Sequence, residues 1–154
     1  MKNKPFIPAS PPLLLLFFLT LHFTIAAQSN LSKNNVAVSG FDVVSYHKNK
    51  AIEGNVNYKV NHKGAVYLFD NEAHKSTFEA NPEKFIPQYG GWCAYAMGNN
   101  GKKVAINPEA FTIEDGKLYL FYKTLFTDTR EKWMDNTAIL KPKADLNWKK
   151  IKTQ

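Results

Sequence analysis

The stretch Phe111–Lys123, FTIEDGKLYLFYK, contains the clearest fold signal in the chain. Segments rich in aromatic and β-branched residues flank Asp115–Gly116, and Asp-Gly is a preferred two-residue turn between antiparallel strands. We therefore predict a β-hairpin that turns at this dipeptide. Gly116 is expected to take the positive φ that residues with a side chain avoid.

A second hairpin is predicted upstream, in Asn57–Asp70. The segments NYKV and AVYLFD flank the turn NHKG, in which Gly64 can take a positive φ. Asp70 or Asn71 can then cap a helix that ends near Ala80, because both side chains accept hydrogen bonds from the first helical N–H groups.

Two similar segments, NPEKF at Asn81–Phe85 and NPEAF at Asn107–Phe111, are each predicted to form a short helical turn. Asn is a good N-cap, Pro suits the first helical position, and Glu is favoured at the positive end of a helix. Their flanking residues do not match, so we interpret them as two separate turns and not as an internal repeat.

Two further helices are predicted towards the end of the chain. Asp128 and Glu131 have the spacing of a capping box and open a helix that carries Trp133 and Met134. A last segment is expected to pack a C-terminal helix onto the core through three apolar residues, Ala144, Leu146 and Trp148.

Strands and helices follow one another in an irregular order, which favours an α+β fold. The chain has 154 residues, of which 44% are hydrophobic and 14% aromatic, enough for one core. We predict a single small domain over residues 40–150, in which antiparallel hairpins pack with short helices.

Residues 1–26 have the order of a secretory signal peptide. Lys2 and Lys4 precede the apolar run Leu13–Ile25, and the small residues Ala26 and Ala27 follow it. The run is shorter than the roughly 20 residues of a membrane span. We predict cleavage after Ala26 or Ala27, and export to the periplasm or outside the cell; the alternative is an uncleaved anchor.

After cleavage we expect no stable membrane span, and a flexible mature N-terminus over residues 27–39 with structure starting near Gly40. The loss of two lysines lowers the net charge from +7 to +5, since 18 basic residues then oppose 13 acidic ones. The lysines that remain are scattered among acidic residues, which indicates a role in solubility. Nucleic acid is not an expected partner.

Cys93, in the segment QYGGWCAYAM (Gln88–Met97), is the only cysteine. An exported chain with one cysteine cannot form an internal disulfide, so the thiol is buried, bound to a ligand, or paired with another molecule. On a helix, Cys93 and Met97 would share one face, and a thiolate with a thioether suits soft metals such as Cu(I). The alternative, which we favour, is that both are core residues.

The same segment could also form part of a ligand pocket. Gly90 and Gly91 allow a close approach to the backbone, and the aromatic residues Tyr89, Trp92 and Tyr95 surround them. The alternative is a core built from aromatic side chains. No pair of histidines has the spacing of a zinc site, and nucleophilic catalysis by Cys93 with a histidine is conceivable but not favoured.

Six segments together resemble the exported YHS-domain proteins of bacteria: GFDVVSY, NHKGAVYLF, FEANPEKFIPQYGGWCAYA, NPEAFTIEDGKLYLFY, EKW and ADLNW. The resemblance covers about Gly40 to Trp148. It implies a small α+β domain, often preceded by a signal peptide, with a poorly defined biochemical role. The broader YHS group, which looks related to metal-handling TRASH-type domains, is often assigned metal binding.

This chain departs from the metal-associated members of that group. Tyr58 keeps the first residue of their Tyr-His-Ser triplet, but Lys59 and Val60 replace the other two. Asp70 and His74 stand where those domains carry two cysteines. Asp and His can still bind a metal ion, although they are harder ligands than thiolates.

The sequence therefore predicts a non-catalytic binding module for a metal ion or small ligand near Cys93. The expected metal is Cu or Zn, with four candidate ligands, Cys93, Met97, His74 and Asp70. Candidate residues for a small ligand are Tyr89, Gly90, Gly91, Trp92 and Tyr95. An interaction module without a ligand is the first alternative, and a thiol-dependent enzyme is the less favoured second.

Overall fold

The computed structural model describes residues 28–153 and has the predicted α+β fold. Each of two antiparallel sheets is a single hairpin. The strands are β1 (Asn55–His62), β2 (Ala65–Phe69), β3 (Asn107–Glu114) and β4 (Lys117–Phe121). The helices are α1 (Glu72–Ala80), α2 (Pro82–Phe85), α3 (Ala94–Asn100), α4 (Thr129–Met134) and α5 (Thr137–Lys152).

Both predicted hairpin turns are confirmed. Glu114 pairs with Lys117 across the turn between β3 and β4, where Gly116 has a φ of +70°. In the turn between β1 and β2, Gly64 has a φ of +82°. The two-residue turns need these left-handed conformations, which glycine adopts without steric cost.

The predicted helix starts are also confirmed. The side chain of Asn71 accepts a hydrogen bond from the N–H of His74 (2.9 Å), and that of Asp128 accepts one from the N–H of Arg130 (2.9 Å). These bonds satisfy N–H groups that the first turn of a helix leaves without a partner.

The segment NPEKF forms α2, as predicted, but the prediction of a helical turn for NPEAF was wrong, because it opens β3. The Oδ1 atom of Asn107 accepts from the N–H of Glu109 (2.9 Å), so this Asn closes a local turn and not a helix cap. The strand register then shifts between Asn107 and Phe111. This irregularity accommodates Pro108, which has no N–H for a regular ladder.

The C-terminal helix packs on the core through two of its three predicted residues. Ala144 and Trp148 are buried, whereas Leu146 is 61% exposed. Residues four apart share one helix face and a residue midway between them lies on the other side, which explains why the expectation for Leu146 was wrong.

The chain contains an internal repeat, which our interpretation of the two NPE segments missed. Strands β1 and β3 both have eight residues, strands β2 and β4 both have five, and both hairpins have one register shift near the start. We call residues 38–80 the first half and residues 89–134 the second half. The repeat pairs NPEAF with the start of β1 and not with NPEKF.

Each half begins with the same unusual backbone. Three successive residues have positive φ in the first half (Val38 +51°, Ser39 +53°, Gly40 +88°) and in the second half (Tyr89 +54°, Gly90 +61°, Gly91 +80°). In both halves the next residue donates its N–H to the first of the three. This agreement in a strained conformation supports the equivalence of the two halves.

Each half also closes its core with one aromatic residue from a helix. In the first half, Phe78 of α1 packs on Tyr67 and Phe69, with ring centroids 4.8 and 5.1 Å apart. In the second half, Trp133 of α4 packs in the same way at 5.5 and 6.0 Å, on Tyr119 and Phe121. The tyrosines and phenylalanines come from the shared sequence Tyr-Leu-Phe in β2 and β4.

Strand β4 joins the two cores. Leu118 and Leu120 face the first core, whereas Tyr119 and Phe121 face the second. Side chains alternate between the two faces of a strand, so one strand lines both cores. The halves are therefore packed into one domain.

The described fold extends further towards the N-terminus than the predicted start near Gly40. Ala37 and Val38 are buried, and Ala37 donates its N–H to the carbonyl of Val66 (2.9 Å). The predicted signal peptide, residues 1–26, lies outside the described residues. Within residues 28–153, we find no helix with both the length and the apolar character that a membrane crossing requires.

Candidate functional site

Cys93 lies at the start of α3 and is 1% exposed. Its Sγ atom is 3.4 Å from the hydroxyl oxygen of Thr129, and that hydroxyl donates to the carbonyl of Tyr122 (2.8 Å). A hydroxyl has one hydrogen, so the thiol is the donor in its contact with Thr129. The protein encloses the thiol in this arrangement, whereas a nucleophilic or metal-binding cysteine must be accessible to its substrate or ion.

The other predicted metal ligands are distributed between the two halves. Met97 is fully buried in the second core, His74 contacts Asp42 in the first half, and Asp70 is exposed. Between residues 28 and 153, no three or more His, Cys, Asp or Glu side chains are grouped so that they could hold a metal ion. The metal hypothesis stays a prediction that rests on the sequence.

The first half contains a buried charged cluster that sequence reasoning did not identify. The Asp42 carboxylate is fully buried and accepts hydrogen bonds from the N–H groups of Val44 (2.8 Å), Ser45 (3.3 Å) and Asp70 (3.0 Å). It also lies 2.5 Å from Nδ1 of His74. These four donors compensate the cost of removing a carboxylate from water.

Lys48 completes the cluster at the surface. Its ammonium group lies 2.8 Å from Nε2 of His74. The ammonium of Lys48 has donors but no acceptor, so Nε2 of His74 is the acceptor in this contact. We call Asp42, His74 and Lys48 the charged cluster.

The internal repeat would have revealed Asp42 in the sequence. Asp42 follows Gly40–Phe41, and Cys93 follows Gly91–Trp92. Their N–H groups bond to the equivalent carbonyls of Ile52 (2.8 Å) and Val104 (3.0 Å). Asp42 and Cys93 therefore occupy equivalent places in the two halves.

A cavity of about 230 Å³ lies beside the Tyr89–Gly91 turn. Three of the five residues predicted to bind a small ligand line it: Tyr89, Gly90 and Gly91. Trp92 and Tyr95 are not among its lining residues. Trp92 instead donates its Nε1–H to the carbonyl of Gln28 (2.7 Å), and the ammonium of Lys132 lies 6.0 Å from the ring centre of Tyr95.

The close approach predicted at the two glycines is confirmed at Gly90, where the approaching groups belong to the chain itself. A Cβ atom on Gly91 would make only an ordinary contact, 3.5 Å from Cγ of Pro87. A Cβ atom on Gly90 would lie 2.7 Å from a ring carbon of Trp148 and 3.2 Å from the Cα of Ser29. The N-terminal segment bonds to this turn, since Asn30 donates its N–H to Gly90 (2.8 Å) and its side-chain amide to Gly91 (3.1 Å).

Charged side chains line one part of the cavity. The Glu83 carboxylate accepts from Lys63 at 2.5 Å and contacts Nε2 of His62 at 3.0 Å. The hydrogen bond from Lys63 is the main reason why the pKa of Glu83 is lowered. Lys152 adds a further positive charge to the lining.

Two buried tyrosines form another part of the wall. Burial, followed by the charge of Glu83, raises the pKa of Tyr67 to about 12. Burial also raises the pKa of Tyr89, whose hydroxyl donates to the carboxylate of Asp145 at 3.0 Å. Both hydroxyls therefore keep their protons at neutral pH.

No protein-family model, curated protein or solved structure matches this chain. The resemblance to exported YHS-domain proteins rests on the sequence segments alone and stays a prediction.

Proposed function

We propose that this protein is an exported, non-catalytic binding module whose site is the cavity beside the Tyr89–Gly91 turn. The ligand class is a small molecule with an aromatic or apolar body and one acidic group. The observation that carries the proposal is the cavity itself, which combines aromatic walls with several basic side chains.

The walls select the body of the ligand. Tyr67, Tyr89 and Trp148 contribute aromatic surface, and Ile86 and Pro87 contribute aliphatic surface. Apolar and aromatic walls with a few polar groups are typical of small-molecule sites. A volume of about 230 Å³ lies below the roughly 300–1,000 Å³ of sites for drug-sized ligands, so a smaller molecule fits best.

The charges select the acidic group. Lys63 and His62 share the carboxylate of Glu83, and Lys152 brings an additional positive charge. Lys63 and Glu83 offset each other, so Lys152 leaves the lining with a net positive charge, and a partly enclosed site with a net charge of one sign concentrates ligands of the other sign. An acidic group beside Lys152 would leave the contacts of Glu83 unchanged.

The position of Cys93 supports binding over thiol chemistry. Cys93 and His74 are not among the residues that line the cavity, and the thiol donates a hydrogen bond to Thr129. A thiol enzyme would require an accessible thiolate next to its substrate. The predicted thiol-dependent activity therefore lacks support in this arrangement.

Export is the part of the proposal that rests on the leader sequence. Intact mass of the protein recovered from outside the cytoplasm measures it directly. We expect a mature chain that begins at Ala27 or Gln28. A chain that retains Met1 would contradict cleavage.

An NMR titration tests the ligand class. We would add phenylacetate and indole-3-acetate to isotope-labelled protein, with the corresponding neutral amides as controls. We expect saturable shifts at Tyr67, Gly90 and the indole of Trp148 with the acids, and weaker effects with the amides. Shifts that do not saturate, or that are spread evenly over the surface, would contradict the proposal.

Charge reversal at the cavity provides a matched pair of variants. Lys152→Glu should weaken binding of the acids by about 3- to 10-fold, because it replaces an attractive charge with a repulsive one. Lys150→Glu makes the same change at an exposed position of α5 that does not line the cavity. Equal loss in both variants would indicate a general effect of net charge and not a site at the cavity.

A further inference from the structure

Two adjacent apolar side chains project from the loop between β4 and α4. Leu125 is 88% exposed and Phe126 is 90% exposed. Single exposed apolar residues are ordinary on protein surfaces, but a pair of large neighbours with almost complete exposure is a feature of interaction sites. We call Leu125–Phe126 the apolar tip.

The loop that carries the apolar tip is held by its own hydrogen bonds. Thr124 donates its N–H to the carbonyl of Thr127 (2.8 Å), and Lys123 forms an antiparallel bridge with Asp128. At the base, Thr129 donates both its N–H (3.1 Å) and its hydroxyl (2.8 Å) to Tyr122. A tip that is already ordered loses little conformational entropy when it binds.

The base of the tip is positively charged. The ammonium of Lys123 lies 3.5 Å and the guanidinium of Arg130 lies 3.4 Å from the same carboxylate oxygen of Asp128. Two cations therefore share one anion. The next two residues, Glu131 and Lys132, carry opposite charges, so the base retains a net positive charge.

We propose that the apolar tip inserts into the interfacial region of an anionic lipid bilayer. Apolar side chains at the apex can enter the boundary between headgroups and acyl chains, while Lys123 and Arg130 remain among the anionic headgroups. The net charge that remains after the predicted cleavage, +5, adds long-range attraction to the same surface.

A second copy of the chain is a poorer occupant. The cavity beside the Tyr89–Gly91 turn is an apolar recess that a Phe side chain could enter, but Lys63 and Lys152 line it and Glu83 offsets only one of these two charges. The remaining positive charge would face Lys123 and Arg130 at the base of the tip, and like charges across an interface oppose association. A bilayer of anionic lipids has the complementary charge.

A fluorophore attached at the tip tests the proposal. Cys93, the only cysteine, is 1% exposed, so a thiol introduced by Phe126→Cys can be labelled selectively with an environment-sensitive dye. A label on residue 126 reports on the tip alone. A measurement of the total protein bound to vesicles would also include binding through the apolar run at residues 13–25. Leu146→Cys, at an apolar position on α5 that is 61% exposed, is the matched control.

We expect a blue shift of the dye on residue 126 with vesicles that contain phosphatidylglycerol. The shift should be weaker with pure phosphatidylcholine and should decrease as salt increases, because the headgroup contacts are electrostatic. The dye on residue 146 should keep the emission of a water-exposed dye with every vesicle composition. Adding Leu125→Ser to the labelled tip should lower its partition coefficient by about tenfold, whereas Leu146→Ser should leave it unchanged.

Three results would overturn the proposal. The first is no shift at residue 126 with anionic vesicles, and the second is an equal shift at residues 126 and 146. The third is a shift at residue 126 that follows protein concentration without vesicles, which would identify a second copy of the chain as the occupant.

Discussion

The first half of the molecule encloses a charged group where the second half encloses a neutral one. Asp42 and Cys93 occupy equivalent places, and each contacts a buried polar residue near the start of the helix that follows the hairpin of its half, His74 in α1 or Thr129 in α4. The surrounding aromatic residues and backbone conformations correspond. The comparison shows that the fold does not need a charged group at this buried position, because a neutral thiol–hydroxyl contact fills it in the second half.

The two contacts differ in what they require from their surroundings. The Asp42 carboxylate needs three N–H donors and the imidazole of His74, because an unpaired buried charge is costly. The Cys93 thiol behaves as a small apolar group with one weak hydrogen bond to Thr129. We therefore interpret Cys93 as a core residue, and we expect the stability of the protein to depend more strongly on Asp42.

The largest effects are expected at the aromatic residues that close the two cores. Phe78→Ala and Trp133→Ala should each lower the free energy of unfolding by about 3–5 kcal/mol, because each removes a fully buried ring. Urea denaturation measures both variants. A single transition is expected in each case because β4 lines both cores; separate transitions for the two halves would contradict their description as one domain.

The next effect concerns the charged cluster. Asp42→Asn should lower the free energy of unfolding by about 2–4 kcal/mol, since the new amide places N–H donors against the donors that now bond to the carboxylate. Asp70→Asn makes the same change on an exposed side chain and should stay within about 0.5 kcal/mol of wild type. Equal losses would refute the special role of the Asp42 carboxylate.

Alkaline titration should reveal the burial of Tyr67. Its pKa is about 12 in the folded protein and about 10 in the unfolded chain, so the folded state keeps a proton that the unfolded state releases. Protonated Tyr67 therefore contributes to the free energy of unfolding below pH 10. About 2 kcal/mol of this contribution is lost as the pH rises towards 12. Tyr67→Phe should reduce this slope in unfolding curves measured between pH 10 and 12, and an unchanged slope would contradict the assignment to Tyr67.

The two hairpin turns should respond alike to substitution. Gly116→Val should cost about 1–2 kcal/mol from backbone strain, because no atom lies within 4 Å of the added Cβ and φ is +70°. Gly64→Val, at a φ of +82° in the equivalent turn, should lose stability similarly. Thermal unfolding of both variants measures the effect; a stable Gly116→Val protein would argue against the turn.

The features that the sequence predicts well are set by neighbouring residues. Gly116 and Gly64 turn their hairpins, and Asn71 and Asp128 cap their helices, because each acts on a backbone group within a few residues. The prediction for NPEAF was wrong because a residue far along the chain decides its conformation. Its local pattern suits a helix, but pairing of Asn107 with Phe121 places it in a strand.

The candidate site is harder to predict because its members come from distant parts of the chain. Gly90 signals a close approach, but the sequence does not say that Trp148 and Ser29 are the approaching groups. The hydrogen-bond donors of the buried Asp42 include Asp70 and His74, which lie 28 and 32 residues away in the chain, so no local sequence pattern predicts this cluster. The repeat was missed because its equivalent polar residues differ in chemistry.

Anaerobic titration of wild type and Cys93→Ala with Cu(I) and Zn(II) tests most directly whether Cys93 is a core residue or a ligand. If it is a core residue, both proteins bind each metal equally and weakly, and the substitution costs about 1–2 kcal/mol of stability as a small cavity. Stoichiometric, tight binding by wild type that Cys93→Ala abolishes would contradict this account and identify Cys93 as a metal ligand.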